Sequence, residues 1–340
     1  KKQGYECVGA TMCLYQNGVK GIEFEQKCSS LKDVEDAKRV AEKLDMEHYV
    51  FDFSDEFNHD VVQKFIDDYE NGWTPNPCVV CNYKLKFGKL LKEAENLNCD
   101  YIATGHYARI EKDETGKFVL KKGKSVRKDQ SYVLYQFTQE TLAKTLFPLG
   151  DLDKDEVRKI AEEQGFINAG KKDSQDICFI PDGNYVGFLE RSLNKKYESG
   201  NIIDTKGEII GTHRGAVSYT IGQRKGLGVA MPYPIYVVDK DMEKNTVIVG
   251  KNEDLFSDGL IAVNWNWINT PINDVVNAMI KIRYAAKEQQ CKITQVEEAK
   301  VQIIFDEPQR AVAPGQSAVV YGGDKVLGGG IIYSVINKKY

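Results

Sequence analysis

Near Lys196 the hydrophobic rhythm of this chain changes, and that change limits the architectures open to it. Before it, strand-like and helix-like segments alternate. "CVGATMCLY" (Cys7 to Tyr15) reads as a buried strand. Ser30 and Asp33 form a capping-box pattern, followed by Leu31, Val34, Ala37, Val40, Ala41 and Leu44 at helical spacing. "HYVFDF" (His48 to Phe53) is the next strand, and helices are expected over Val61 to Tyr69, Leu85 to Leu97 and Lys154 to Gln164, the last stopped by Gly165. "YIATGHYAR" (Tyr101 to Arg109) reads as a strand ending in Thr-Gly-His. Alternation of this kind predicts a doubly wound parallel sheet covered on both faces. After Lys196 only short strands appear, cut by Gly, Asp and Asn turns, and "APGQSAVVYGGDKVLGGG" has the glycine-bearing corners of a small barrel. The prediction is an α/β domain over 1–197, a central β-rich domain over 198–258 and a C-terminal β-barrel over 259–340, with the second boundary inside Lys251 to Leu260.

At 340 residues the chain is too long for one ordinary core. Its apolar runs are strand-length, which predicts no transmembrane helix, and no apolar h-region follows the opening Lys-Lys-Gln-Gly-Tyr. Eight cysteines spread over this length are no disulfide scaffold, so a reducing, cytoplasmic setting is expected. A net charge of −4 announces no nucleic-acid partner in bulk, and DNA is not expected. One local patch stands out: "KKGKSVRKDQ" (Lys121 to Gln130) has five cations in its first eight residues. On charge alone it reads as a solvated hairpin loop.

Cys78 and Cys81 lie in "PNPCVVCNYKLKFG", behind two prolines. A structural zinc site needs four ligands, and no second close Cys or His pair follows. Thioredoxin's surrounding pattern is also missing. What remains is a pair that works with a distant cysteine, and Cys178 in "KKDSQDICFIPDG" is the best placed. Its ordinary reading is a buried thiol in a short strand. Its functional reading is a thiol on a loop that shuttles between exposed and covered states, made more acidic by Lys171 and Lys172. Gly105 would let a ligand approach the backbone, and His106 would stand at the rim of the crevice outside the strand ends. "THRGAVSYTIGQRKGLG" sets Arg214, Arg224 and Lys225 among glycines, a mixture that suits phosphate oxygens.

Together these stretches resemble a family. "TPNPCVVCN", "YIATGHYAR", "KDQSYVLYQ", "LFPLGDLDKDEVRKIAEEQGF", "KKDSQDICFI", "GTHRGAVSYTIGQRKGLG" and "APGQSAVVY…LGGGII" are similar, in order and over the whole chain, to the bacterial tRNA-specific 2-thiouridylases. The resemblance implies an ATP- and Mg2+-dependent tRNA-uridine 2-sulfurtransferase of the adenylating pyrophosphatase superfamily. Such an enzyme adenylates the C2 oxygen of the wobble uridine, then replaces it with sulfur from a cysteine persulfide. It implies that Cys178 carries the persulfide and that Cys81 is a nucleophile able to form a transient disulfide with it. Met12 and Gly105 match ATP contacts. Asn76, Pro77 and Cys78 match the segment that touches the target base. His106, Lys128, Asp129, Gln130, Arg283, Tyr284 and Gln316 match tRNA contacts, which gives the basic loop a function. A sulfur-donor protein or sulfide is the further partner expected.

Two departures bear on this. Members of the family begin with a strand and a Ser-Gly-Gly-Val-Asp-Ser pyrophosphate loop, whereas this sequence opens at the end of the following helix. Loss of the first strand would open the middle of the sheet, so an incomplete record is expected. Familiar members also carry Asp-x-x-Cys where Cys78 stands here. Cys78, Cys81 and Cys178 would then suit a 4Fe–4S cluster with one open iron site, and this reading is favoured over a persulfide relay because the relay gives Cys78 no task. The rival from another class is a non-catalytic tRNA-binding protein. A third reading, an adenylating enzyme for a small amide or carboxylate, sits poorly with the β-rich half.

Overall fold

The computed structural model describes residues 1–15, 31–170, 177–269 and 275–336. Strand β1 (Gly9–Cys13) pairs in parallel with β2 (His48–Asp52), Gly9 opposite His48 and Cys13 opposite Asp52. The helix Leu31–Lys43 crosses between them and carries Asp33 in its first turn, where a carboxylate favours the exposed N–H groups. Ser30, the expected capping partner, lies outside the described residues. Gly9 admits this packing: a side-chain carbon there would come to 3.0 Å from the His48 ring and 3.5 Å from Ala41 Cβ.

A second parallel pair joins β3 (Ile102–Ala103) to β6 (Thr145–Leu146), and among the described residues no strand links it to the first pair. The strand expected over Tyr101 to Arg109 is broken. β3 covers two residues, the chain leaves the sheet at Thr104, and β4 (Ala108–Lys112) then starts an antiparallel hairpin with β5 (Phe118–Lys122). The hairpin turn is built by Asp113, whose Oδ1 accepts from the backbone N–H groups of Thr115 and Lys117, and by Gly116 at φ +83°.

The helix expected over Leu85 to Leu97 begins earlier. Pro77–Cys81, Asn82–Lys89 and Leu90–Asn96 run on as one helical rod, its middle segment in wider π winding. The cysteine pair is therefore inside a helix and not on a loop before it. Pro77 occupies the first turn, where its missing N–H costs nothing and its fixed φ suits the helix.

The central domain is a four-stranded sheet in the order β8 (Ile209–His213), β7 (Gly200–Asp204), β10 (Thr246–Gly250), β9 (Tyr236–Asp241), with β7 and β10 parallel. The C-terminal region is a closed barrel of six strands: β11 (Phe256–Trp267), β12 (Val276–Lys281), β13 (Gln289–Glu297), β14 (Lys300–Arg310), β15 (Ser317–Gly322) and β16 (Lys325–Ile336). It closes because β11 pairs with both β14 and β16. The β4–β5 hairpin joins this barrel's sheet, Lys121 pairing with Lys325. The two halves share a core: Val79, Phe87, Leu120, Tyr132 and Tyr135 from the α/β side meet Val319, Tyr321 and Val326 from the barrel. Two hydroxyls stitch it, Tyr132 Oη donating to the Ser317 carbonyl at 2.7 Å and Ser317 Oγ donating to Tyr135 Oη at 3.3 Å.

Candidate catalytic site

Cys78 and Cys81 are one helical step of three residues apart, so their side chains rise from neighbouring positions on one face. Cys78 is exposed and Cys81 is buried. The third thiol comes from far along the chain. In "ICFI", Phe179 and Ile180 are almost fully buried, and the Phe179 ring stacks edge-on to Phe57 at 5.6 Å and Phe65 at 5.2 Å. Cys178, just before those anchors, is exposed. Lys171 and Lys172, the cations expected to activate it, lie outside the described residues.

The thiols converge on Tyr15, which sequence reasoning read only as the end of a strand. The Tyr15 ring packs edge-on against Phe57 at 5.2 Å. Its hydroxyl is buried, lies within weak hydrogen-bonding reach of the Cys178 sulfur, and meets no full hydrogen-bond partner among the described residues. Burial first, and then the charge of Cys178 with smaller effects from Cys81 and Cys78, raises the phenol far above its ordinary range. Tyr15 is therefore a permanent donor beside three sulfurs.

Burial also pushes the Cys81 thiol up to about 12, opposed by the charge of Lys86. Cys78, although its residue is exposed, moves in the same direction: protein packed around the sulfur takes it partly out of water, Cys178 adds to this and Lys86 opposes it. Both rest as thiols at neutral pH. Lys86 was also missed. It lies five residues beyond Cys81, off the cysteine face of an ordinary α-helix, but the i→i+5 winding of Asn82–Lys89 brings it round. A sequence pattern read at 3.6 residues per turn does not show this.

The fit of a metal centre is poor. Among the described residues no group of three His, Cys, Asp or Glu side chains is arranged to hold a metal ion. The three thiols feel one another without forming a ligand set.

The positions matched to nucleotide contacts sit near strand ends. Met12 is the fourth residue of β1, and Gly105 follows two residues after β3. A side-chain carbon at Gly105 would rest 3.4 Å from Leu149 Cδ1, so the glycine leaves only a little extra room. His106 does not stand at a rim. Its ring is buried between Phe87 at 5.6 Å and Phe147 at 5.7 Å, and its Nδ1 is 2.7 Å from Thr104 Oγ1. Burial, with help from Lys86, lowers its pKa to about 3 and keeps it neutral.

The remaining candidates surround the cysteine helix from the barrel side. Asp129 is buried at the centre of the basic loop: one carboxylate oxygen accepts from the N–H groups of Gly123 and Ser131, and the other from Ser131 Oγ. Gln130 clamps Tyr107 by its side-chain oxygen and its own N–H, while Lys128 is half-buried on the same turn. Tyr284 Oη donates to the Asp129 carbonyl at 3.1 Å and lies close enough to Cys78 to feel its charge. Arg283 is half-buried and donates to the carbonyls of Ile221 and Ala311, tying the barrel to the central domain. Asn76 and Pro77 line a cleft of about 320 Å³ with Tyr83, Lys84, Gln136 and Asn264. A second hollow of about 450 Å³ follows the glycine-rich loop from Arg224 to Ile235.

An α/β domain that brings three thiols together, followed by two β-domains that close over it, defines a HUP domain linked to two barrels. The "tRNA methyl transferase HUP domain" family matches residues 1–182, the "tRNA methyl transferase PRC-barrel domain" residues 186–251 and the "Aminomethyltransferase beta-barrel domain" residues 257–332. Curated relatives carry the name tRNA-specific 2-thiouridylase MnmA. That of Clostridioides difficile strain 630 is 48% identical over 334 residues, 98% of this chain and 92% of the relative. Those of Halothermothrix orenii and Geotalea uraniireducens are 47% and 46% identical, over 98% and 100% of this chain and 93% and 91% of their own. The chain belongs to the tRNA-specific 2-thiouridylase family.

Proposed function

We propose that the protein is a tRNA-uridine 2-sulfurtransferase, with ATP and Mg2+ as co-substrates and Cys178 and Cys81 as its catalytic thiols. The packing of Tyr15, Cys81 and the Phe179–Ile180 pair that follows Cys178 into one core cluster supports this most. The family name is shared by relatives that cover nearly all of this chain. The chain is divided at 197 and 258 in this reading, whereas the matched HUP segment ends at 182, the PRC-barrel segment spans 186–251 and the aminomethyltransferase-type segment begins at 257.

In this reading ATP adenylates O2 of the wobble uridine, with Met12 and Gly105 at the nucleotide. The outer sulfur of a Cys178 persulfide then attacks C2, and AMP leaves with O2. The Cys81 thiolate attacks Cys178 Sγ, the sulfur–sulfur bond breaks, and its electrons complete the thiocarbonyl on the base. A Cys81–Cys178 disulfide remains for a reductant to open. Tyr15 donates to the sulfur anions, and Lys86 offsets the burial that keeps Cys81 protonated. Asn76, Pro77 and Cys78 face the target base. Lys128 and the surface carrying Asp129, Gln130, Tyr284 and Gln316 meet the RNA, while His106 and Arg283 support it from inside. A donor protein or sulfide supplies the persulfide. Among the described residues no helix is long and apolar enough to cross a membrane, in line with a cytoplasmic enzyme.

We favour the relay over the cluster because among the described residues no group of three His, Cys, Asp or Glu side chains is arranged to hold a metal ion. Cys178→Ser tests the reading. A hydroxyl fills the space without carrying a persulfide, so 2-thiouridine measured by nucleoside mass spectrometry is expected to vanish while tRNA binding in a gel shift survives. Wild-type product from the variant would remove Cys178 from the mechanism. Retained binding with no product even from the unmodified protein and a persulfide donor would favour the non-catalytic RNA binder.

A further inference from the structure

The cleft beside the start of the cysteine helix lies on the seam between the α/β half and the barrel. Two bonds hold that seam: Thr74 N–H donates to the Pro314 carbonyl at 2.8 Å, and Gln316 Nε2 to the Thr74 carbonyl at 2.7 Å. Part of the lining is apolar and almost fully buried, Phe65, Val79 and Tyr135 included. At about 320 Å³ the cleft has room for a guest the size of a nucleoside.

Its polar groups are unusual in being uncommitted. Between Val263 and Asn266, strand β11 carries one residue more than β16 opposite it, a β-bulge. Asn264 sits in that bulge at φ +50°, a left-handed backbone that asparagine tolerates and glycine adopts freely. Bulges re-aim side chains. Here the Asn264 side chain lines the cleft, and its amide bonds to no described residue. The neighbouring Asn266, by contrast, spends its amide on the Tyr135 and Phe137 carbonyls. From the cysteine helix come Tyr83, 46% exposed, and Lys84, whose Nζ lies 5.4 Å from the Tyr83 ring centre. Lys84 has no acidic partner among the described residues, whereas Lys64, on the same lining, is paired with Asp68 at 3.0 Å. A free amide, an open aromatic face and an unpaired cation supply what an unstacked base needs at its edge, its face and its phosphate.

We propose that this cleft is a second base subsite, in which Asn264 bonds to the edge of a nucleotide flanking the target uridine, Tyr83 stacks on it and Lys84 meets its phosphate. The inference rests on the tRNA substrate proposed above and on the placing of Asn76 and Pro77 at the target base, since both residues line the same cleft. A flanking base drawn into it leaves its stack, so the protein reads RNA sequence beyond the base that it modifies.

The test uses the full chain and three tRNAs: one intact, and two assembled by ligation that are abasic on one or the other side of the target uridine. Kd is measured by gel shift. Asn264→Gly removes the amide and relaxes the left-handed backbone, and Tyr83→Ala removes an exposed ring, so neither threatens the fold. Each is expected to weaken binding of the intact tRNA about tenfold, while Tyr83→Phe, which keeps the ring, stays within about twofold. One of the abasic tRNAs is expected to show a loss of similar size with the unaltered protein, and on that RNA the two variants cost nothing further. Losses that are the same on intact and abasic RNAs overturn the base subsite, as does an unchanged Kd for both variants. Binding is read without turnover, so the sulfur chemistry does not enter the result. Failure of the unaltered protein to bind any of the three would sink the tRNA reading and the subsite with it.

Discussion

The barrel and the α/β half solve the same problem of sheet edges in opposite ways. In the barrel every strand has a neighbour on both sides, and β15 buries five of its six residues. Among the described residues of the α/β half the parallel strands form two separate pairs, and neither β1 nor β2 carries a fully buried side chain. Closure gives each barrel strand a partner on both sides, so the barrel is expected to open less readily. Cys78 and Cys81 sit on the α/β half, and the barrel residues Pro314 and Gln316 bond to the segment before their helix.

The contrast predicts unequal responses to equal surgery. Leu260 is fully buried in the barrel core, so Leu260→Ala is expected to cost about 3 kcal/mol in chemical denaturation. Val50→Ala, on the half-exposed face of β2, is expected to stay within about 0.5 kcal/mol. Equal costs would break the comparison.

A pH-dependent effect comes from His106. Its folded pKa of about 3 lies below the ordinary value of about 6.5. Above the ordinary value both states are neutral and nothing is lost. As pH falls through it, the unfolded chain takes up the proton first, and stability declines by up to about 1.4 kcal/mol per pH unit until the folded value is reached. His106→Gln should therefore show a shallower loss of stability between pH 6 and pH 4, and identical slopes would show that His106 is not neutral inside the fold.

The smallest expected change in stability sharpens the comparison most. Tyr15→Phe removes a buried hydroxyl with no full partner, so unfolding should be unaltered or slightly harder. Thiolation should nonetheless slow about tenfold as the sulfurs lose their donor. A variant that turns over normally would reduce Tyr15 to packing.

Much of this was legible because hydrophobic period is local. The strands at His48 and Gly200, the helix ending before Gly165 and the switch to β-structure follow from repeats a few residues long. The errors came where distant residues decided the outcome. The "YIATGHYAR" segment divides because His106 is drawn between Phe87 and Phe147, and its second part pairs into a sheet completed at the far end of the chain. The helix expected from Leu85 starts already at Pro77, a residue suited to a first helical turn. Lys86 was hidden by π winding and Tyr15 by its placement at the end of a strand, since its meaning lies in the sulfur of a residue far downstream.

The hairpin that joins the barrel has a consequence for the making of the protein. Its strand β5 pairs with β16, synthesised about two hundred residues later, and Arg109 and Lys122 bind Asp324 and Gly323 in the turn before that strand. A nascent chain must therefore carry an unsatisfied hairpin through most of translation, the kind of delay that slows folding and invites wrong pairings. The delay also acts as a proofreading device. The cysteine helix is held by a loop that lies between β14 and β15, so a chain that stops before the barrel has its thiols but not their setting, and only a finished polypeptide gains a working site.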